Sequence, residues 1–303
     1  MKQRISIICA IVMMVLLVFG CGPKQLRTTG TTHQVTDGTG TVVTVPTEPK
    51  RIVPIAASTE DIVLSLVDPS RVAAVGTVPN NVPDASAKVE KHVKASAESM
   101  LSVQPDLVLV PNWMSPDAIG EMRNMQIPVY VYKTPTTVKE AKATIHEIAD
   151  LLHASDESMI ASMDADLKTV EELTNKHSGE RPLVAFYSQF GLTGGKGSTF
   201  DDMCNYLKVN NAATQIGLGP FDNGMREDLI KSNPDIIFIP SVAYTSDGTT
   251  PATAEQLYSD PALQGVKAIA NRRVYLVDSS QVMSYSQFMT RAMVSMAQNI
   301  YSM

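Results

Sequence analysis

The sequence predicts an α/β protein made of two doubly wound parallel-sheet lobes joined by one long rigid helix. Three observations carry that expectation. One stretch occurs twice, as ESMLSVQPDLVLVP at 98–111 and EDLIKSNPDIIFIP at 227–240. Aligned without a gap, both copies place Glu first (Glu98, Glu227), then Pro-Asp (Pro105-Asp106, Pro234-Asp235), four apolar residues and a closing proline (Pro111, Pro240). Self-similarity at this spacing indicates a duplicated lobe. The apolar runs LVLV and IIFI have no polar face, which suits strands covered by helices on both sides of a parallel sheet. Between the copies, Met159, Met163, Leu167, Val170 and Leu173 keep near-helical spacing. A helix over 156–177 would be about 33 Å long, as long as a small domain is wide.

The remaining elements follow in chain order. Lys2 and Arg4 precede an apolar stretch over 5–19 that ends in Gly20-Cys21. This reads as an export signal (1–20), and the small residue before Cys resembles a bacterial lipoprotein signal, which would make Cys21 the lipidated first residue of the mature chain; a plain signal peptide or a membrane anchor helix is the alternative. Cys204 is then the one remaining thiol, because Cys9 leaves with the signal. No internal disulfide can form, so the core must stand by packing. Residues 21–36 are polar and aperiodic and read as a flexible tether off the membrane. Residues 37–49 read as a small hairpin or edge strand.

The first lobe spans 37–154. Strands are expected at 51–56, 72–75, 107–110 and 127–132, with Ser58-Thr59-Glu60-Asp61 as a capping box opening a helix. Ser115-Pro116 starts another helix, with proline at the first helical position. A helix at 137–153 closes the lobe, and the linking helix occupies 155–178. The second lobe, 179–303, repeats the alternation with strands at 183–188, 236–239 and 274–277 and a terminal helix over 284–302. Short loops between alternating strands and helices imply parallel pairing.

Composition narrows the function. The chain has 303 residues, 44% hydrophobic and 18% charged, with a net charge of −6. Loss of 1–20 leaves 23 basic against 31 acidic residues, a balance that argues against nucleic acid as a partner. No Gly-x-Ser-x-Gly, His-Glu-x-x-His or Cys-x-x-Cys motif is present, so no catalytic residue is assigned. Gly194-Gly195-Lys196-Gly197-Ser198 lacks Walker spacing and reads as a turn into a helix capped by Ser198. His33, His92, His146, His153 and His177 are not at metal-ligand spacing, and no bound metal or cofactor is expected.

Ligand contacts in open α/β sheets gather at strand C-termini. Trp113, Tyr187, Phe190, Tyr244 and Tyr285 follow strands, and Phe221 lies in the loop before the second repeat. In a chain with 6% aromatics that placement is biased. Broad apolar faces with polar tips suit a bulky or flat ligand. Asn80 and His92 are the first-lobe polar candidates.

As a set, these residues resemble the substrate-binding proteins of ABC importers for iron–siderophore, haem and vitamin B12. Asp37-Gly38, Val43-Thr44-Val45-Pro46 and Pro49-Lys50-Arg51-Ile52-Val53 are similar to the family's opening, Ser58-Thr59-Glu60 to its first helix, and both Glu-x6-Pro-Asp repeats to its lobe signatures. The resemblance implies a non-enzymatic receptor that captures a chelate between the lobes. It implies delivery to a permease dimer and its ATPase, with Glu98 and Glu227 each meeting an arginine on one permease subunit. It also implies anchoring by lipid at the cell membrane, in the periplasm or on the outer face. The vitamin B12 binders carry an aromatic six residues before each docking Glu. Phe221 fits and His92 departs, whereas Gln189-Phe190-Gly191 resembles those same proteins. An iron–siderophore is the favoured ligand, with haem and corrinoids as alternatives. A processing enzyme for the chelate is the competing class, and it lacks a visible nucleophile.

Overall fold

The computed structural model describes residues 30–241 and 253–301. The signal segment, Cys21 and Tyr244 lie outside the described residues.

A hairpin of β1 (Thr32–Thr36) and β2 (Val42–Pro46) leads in. The sequence reading placed 32–36 in a tether, but these residues pair in register with β2, so the ordered chain starts earlier. Asp37 anchors the hairpin. Its carboxylate accepts from the Thr39 and Thr41 amides at 2.9 and 3.0 Å and pairs with Arg123. Gly38 donates to the Val131 carbonyl at 2.6 Å, and a Cβ there would sit 2.8 Å from the Lys133 nitrogen. Glycine is required by that approach.

The first lobe holds a parallel sheet in the order β3 (Ile52–Pro54), β4 (Leu107–Pro111), β5 (Val129–Tyr132). Its longer helices are α1 (Ala57–Leu66), α2 (Ala97–Val103), α3 (Pro116–Asn124) and α4 (Val138–Leu152). The expected strand at 72–75 is reduced to two isolated bridges, Ile52 to Val72 and Val75 to His92. The capping box does not form either. Helix α1 begins at Ala57 after Ala56 at φ 86°, so Ser58, Thr59, Glu60 and Asp61 fall inside its first turns and are buried. By contrast Ser115 does cap α3, accepting from Ala118.

The linking helix α5 (Glu157–Asn175) has 19 residues and is therefore about 28 Å long, shorter than the sequence pattern suggests. Its face of Met159, Met163, Val170 and Thr174 is buried.

The second lobe contains β6 (Leu183–Ser188), β7 (Gly191–Thr193), β8 (Asn210–Asn211), β9 (Ile236–Pro240) and β10 (Val274–Val277). The order is β10-β9-β6-β7, with β8 beside β6. Strand β7 runs antiparallel to β6, so this sheet is mixed at one edge. Its helices include α6 (Thr199–Tyr206), α7 (Arg226–Ser232), α8 (Ala254–Ser259), α9 (Ser279–Val282) and α10 (Phe288–Tyr301). Ser198 caps α6 as expected, accepting from Asp201 at 3.1 Å.

The strand pleat explains why the repeats have no polar face. Leu107 and Leu109 of β4, and Ile236 and Phe238 of β9, join one core that also takes in Met163 and Val170 of α5 and Met293 of α10. The alternate residues Val108 and Val110, and Ile237 and Ile239, enter two separate outer cores. Both lobes thus share an inner apolar layer through the linking helix. Thr290 on α10 donates to Asp166 on α5 at 2.8 Å, pinning the second lobe to that helix.

Candidate functional site

The chain turns between strand ends and the next elements place the site. After β6, Phe190 and the antiparallel return through β7 meet the loop carrying Phe221. Gly191 makes that return possible, because a Cβ there would lie 2.1 Å from the Gly224 carbonyl oxygen. The result is a cavity of about 280 Å³ lined by Phe186, Ser188, Phe190, Phe200, Phe221 and Met283 among others. No lysine, arginine or histidine lines it. Phe221 is 91% exposed at the rim of this cavity.

A second aromatic group lies where the lobes meet. Tyr132, fully buried at the end of β5, shares a 2.6 Å hydrogen bond with Thr59 and donates to Tyr285 at 3.5 Å. The Tyr132 and Tyr285 ring centroids are 6.4 Å apart. Burial pushes the Tyr285 hydroxyl pKa up, while hydrogen bonding with Tyr132, Trp113 and Thr59 opposes that shift. Trp113 is itself largely exposed. The segment from Val282 to Tyr285 runs from the cavity wall to this group, so the two aromatic surfaces are neighbours along the chain.

The sequence candidates therefore divide. Phe190 and Phe221 share the cavity, and Trp113 and Tyr285 share the lobe junction. Tyr187 does not face the cavity. It packs on the outer core with Leu183, Leu192 and Leu257, because alternation along β6 turns Phe186 inward instead. Phe186 was missed in the sequence, and period-two reading from the buried Val184 would have found it. Asn80 is committed elsewhere. Its amide donates to Glu60 (2.8 Å) and Ser86 (3.1 Å), and its Oδ1 accepts from the Val82 amide. It is a buttress, not a free ligand contact. His92 is exposed, and its Nδ1 donates to the Gly76 carbonyl at 2.9 Å, which leaves Nε2 as an acceptor in the neutral ring. It is not among the residues lining the cavity.

The sequence also missed two buried carboxylates. Glu60 accepts from the Gly76 amide and Asn80, both at 2.8 Å. Burial raises its pKa, against those hydrogen bonds and the nearby His92. Asp61 accepts from the Asn81 amide (2.6 Å), the Asn81 side chain (2.8 Å) and, across the lobes, Ser286 (3.1 Å). Burial pushes its pKa up to about 6, and the charge of Glu60 adds to the rise. Asn81 also bonds reciprocally with Ser280 of the second lobe, at 3.1 and 2.6 Å. Two adjacent acids within an apolar helix were the available signal, here taken for a cap.

Glu98 and Glu227 occupy the first turns of α2 and α7 and are exposed. No side-chain hydrogen bond or ion pair engages either among the described residues. Cys204 is buried, and burial pushes its thiol well up, so it is no nucleophile. Among the described residues no group of three or more His, Cys, Asp or Glu side chains could hold a metal ion. The geometry suits non-covalent capture of a bulky ligand.

Comparison with known proteins agrees with this architecture. A sequence model described as periplasmic binding protein matches residues 52–281. An uncharacterized ABC transporter substrate-binding lipoprotein (YvrC) of Bacillus subtilis strain 168 is 26% identical, with 99% of this chain and 98% of that protein covered. A cobalamin-binding protein of Halobacterium salinarum is 22% identical over 86% of this chain and 72% of its own length. Among solved structures, the apo periplasmic haem-binding protein RhuT from Roseiflexus sp. RS-1 superposes with a TM-score of 0.70 at 19% identity. That match covers 84% of this chain and 98% of RhuT, a likeness of fold.

Proposed function

This chain belongs to the periplasmic binding protein family, and we propose that it is the substrate-binding component of an ABC importer for a metal chelate. The observation that carries the reading is the aromatic cavity, lined by no cationic side chain and by Asp222 as its one acid, with Phe190 and Phe221 open to solvent. Large apolar faces with hydroxyl tips grip a bulky chelate without reacting with it. An enzyme acting on the chelate would need a nucleophile or redox centre near those faces, and Cys204 is sealed in the core. Anchoring by lipid on Cys21 would hold the receptor at the membrane next to a permease dimer and its ATPase. Glu98 and Glu227 are the docking groups of this reading, one per lobe.

The resemblance favours an iron–siderophore. A second reading, a corrinoid, is supported by the cavity lining, which offers no cation to an anionic chelate or to haem carboxylates. The cobalamin-binding relative points the same way. Trp113 is the chain's one tryptophan, so its fluorescence separates these readings. Purified protein titrated with ferric siderophores, haem and cyanocobalamin should show saturable quenching by one of them. Quenching that is absent with all three, or linear and unsaturable, would remove chelate capture as the function.

A further inference from the structure

We propose that the docking surface is bipartite in each lobe, a carboxylate followed one turn later by an exposed aliphatic side chain: Glu98 with Leu101, and Glu227 with Ile230. Resting on the importer reading, this assigns the partner's surface as well. Each of two like subunits should present a cationic side chain flanked by an apolar one.

The basis is a position-by-position match between α2 and α7. Both helices have seven residues, and both end in a left-handed cap, Gln104 at φ 47° and Asn233 at φ 49°. Both bury the residue two after the glutamate, Met100 and Leu229. Both expose the next one, Leu101 at 44% and Ile230 at 38%. Residues three apart on a helix lie on one face, so each glutamate and its aliphatic neighbour form one patch. A lone exposed leucine needs no explanation. An aliphatic residue exposed at the same register in both lobes, beside a carboxylate that has no ion pair or hydrogen bond among the described residues in either, is a repeated surface. Two patches of one sign and one shape are complementary to a pair of like subunits, not to a single asymmetric partner. The carboxylates orient and accelerate encounter. The aliphatic groups, desolvated on contact, lengthen the complex's life.

The test measures the dissociation constant of the full purified chain, without ligand, for its permease–ATPase complex in nanodiscs across a salt series. Leu101→Ser with Ile230→Ser should weaken binding roughly tenfold or more at every salt concentration, as loss of two buried aliphatic contacts implies. Leu101→Gln with Ile230→Gln, which keeps length and helix propensity, should do the same. Glu98→Gln with Glu227→Gln should weaken binding chiefly at low salt and flatten the salt dependence. Leu276→Ser, at an exposed position outside both faces, should bind as the unaltered chain does. The bipartite surface is overturned if the serine and glutamine pairs bind like the unaltered chain while the Glu98/Glu227 pair does not. It is equally overturned if Leu276→Ser loses as much. If the unaltered chain does not bind the complex at all, the importer reading fails and this proposal falls with it.

Discussion

In the first lobe Asp106 accepts hydrogen bonds from the amides of Lys50 (2.8 Å) and Arg51 (2.9 Å), clamping the repeat to the strand before it. In the second lobe Asp235 accepts from Leu183 at 2.8 Å in the equivalent place. The strands that follow interleave the same inner core in the same register. Beyond the strand ends the lobes diverge. Besides the exposed Trp113, the first-lobe end carries an engaged polar cluster: Glu60 with Asn80, and Asp61 with Asn81. The second-lobe end is open and rich in aromatic faces, with Phe190 and Phe221 exposed among Ser, Thr and Asp222. A duplicated frame therefore supports two different ends, with stability invested in the shared layer and, in the proposed function, recognition in the turns.

The largest effect that could break this comparison lies in the shared core. Leu109→Ala and Phe238→Ala truncate equivalent, fully buried positions. Each should destabilise by about 3–5 kcal/mol in chemical unfolding. Because both side chains enter one core, a single transition should move in either variant. Separate lobe transitions would show that the inner layer does not couple the lobes.

Next is the acid pair. Asp61 has its folded pKa raised to about 6, above the unfolded carboxylate value near 3.9. Between those values the folded chain binds more protons than the unfolded one, so this group's stabilising contribution is present at low pH and fades as pH rises toward 6. The slope is at most about 1.4 kcal/mol per pH unit for one proton. Glu60 acts with the same sign. Asp61→Asn should flatten the decline between pH 4 and 6, and an unchanged pH–stability profile would show that the carboxylate is not buried in solution.

Smaller still, Asp106→Ala and Asp235→Ala should each cost about 0.5–1.5 kcal/mol per hydrogen bond lost. Phe221→Ala should be the mildest for stability, within about 0.5 kcal/mol, yet should remove saturable Trp113 quenching. Loss of stability with intact binding would reverse the roles given to the two lobe ends.

How much was legible in the sequence follows the same division. The strands showed because LVLV and IIFI must be apolar on both faces, and the repeat showed because Pro105-Asp106 and Pro234-Asp235 recur at one spacing before them, each Asp tying its strand to the one beside it. Phe190, Trp113 and Tyr285 were singled out from their place after strands and Phe221 from the loop before the second repeat; Phe190 and Phe221 line one cavity. What local pattern could not show was long-range commitment. The Asn80 amide is spent on Glu60 across a loop, and the acids of α1 mimic a cap while bonding residues far along the chain. Tyr187 was lost to strand alternation, and the hairpin strand at 32–36 to a polar composition that also suits a tether.

The central claim is that the matched glutamates serve delivery and the aromatic turns serve capture. Chelate uptake by cells carrying Glu98→Lys with Glu227→Lys, read beside Trp113 titration of the same purified variant, tests both halves together. The account predicts that uptake is abolished while the quenching curve is unchanged. Uptake that persists in the doubly reversed variant, or a binding curve lost along with it, would contradict that division.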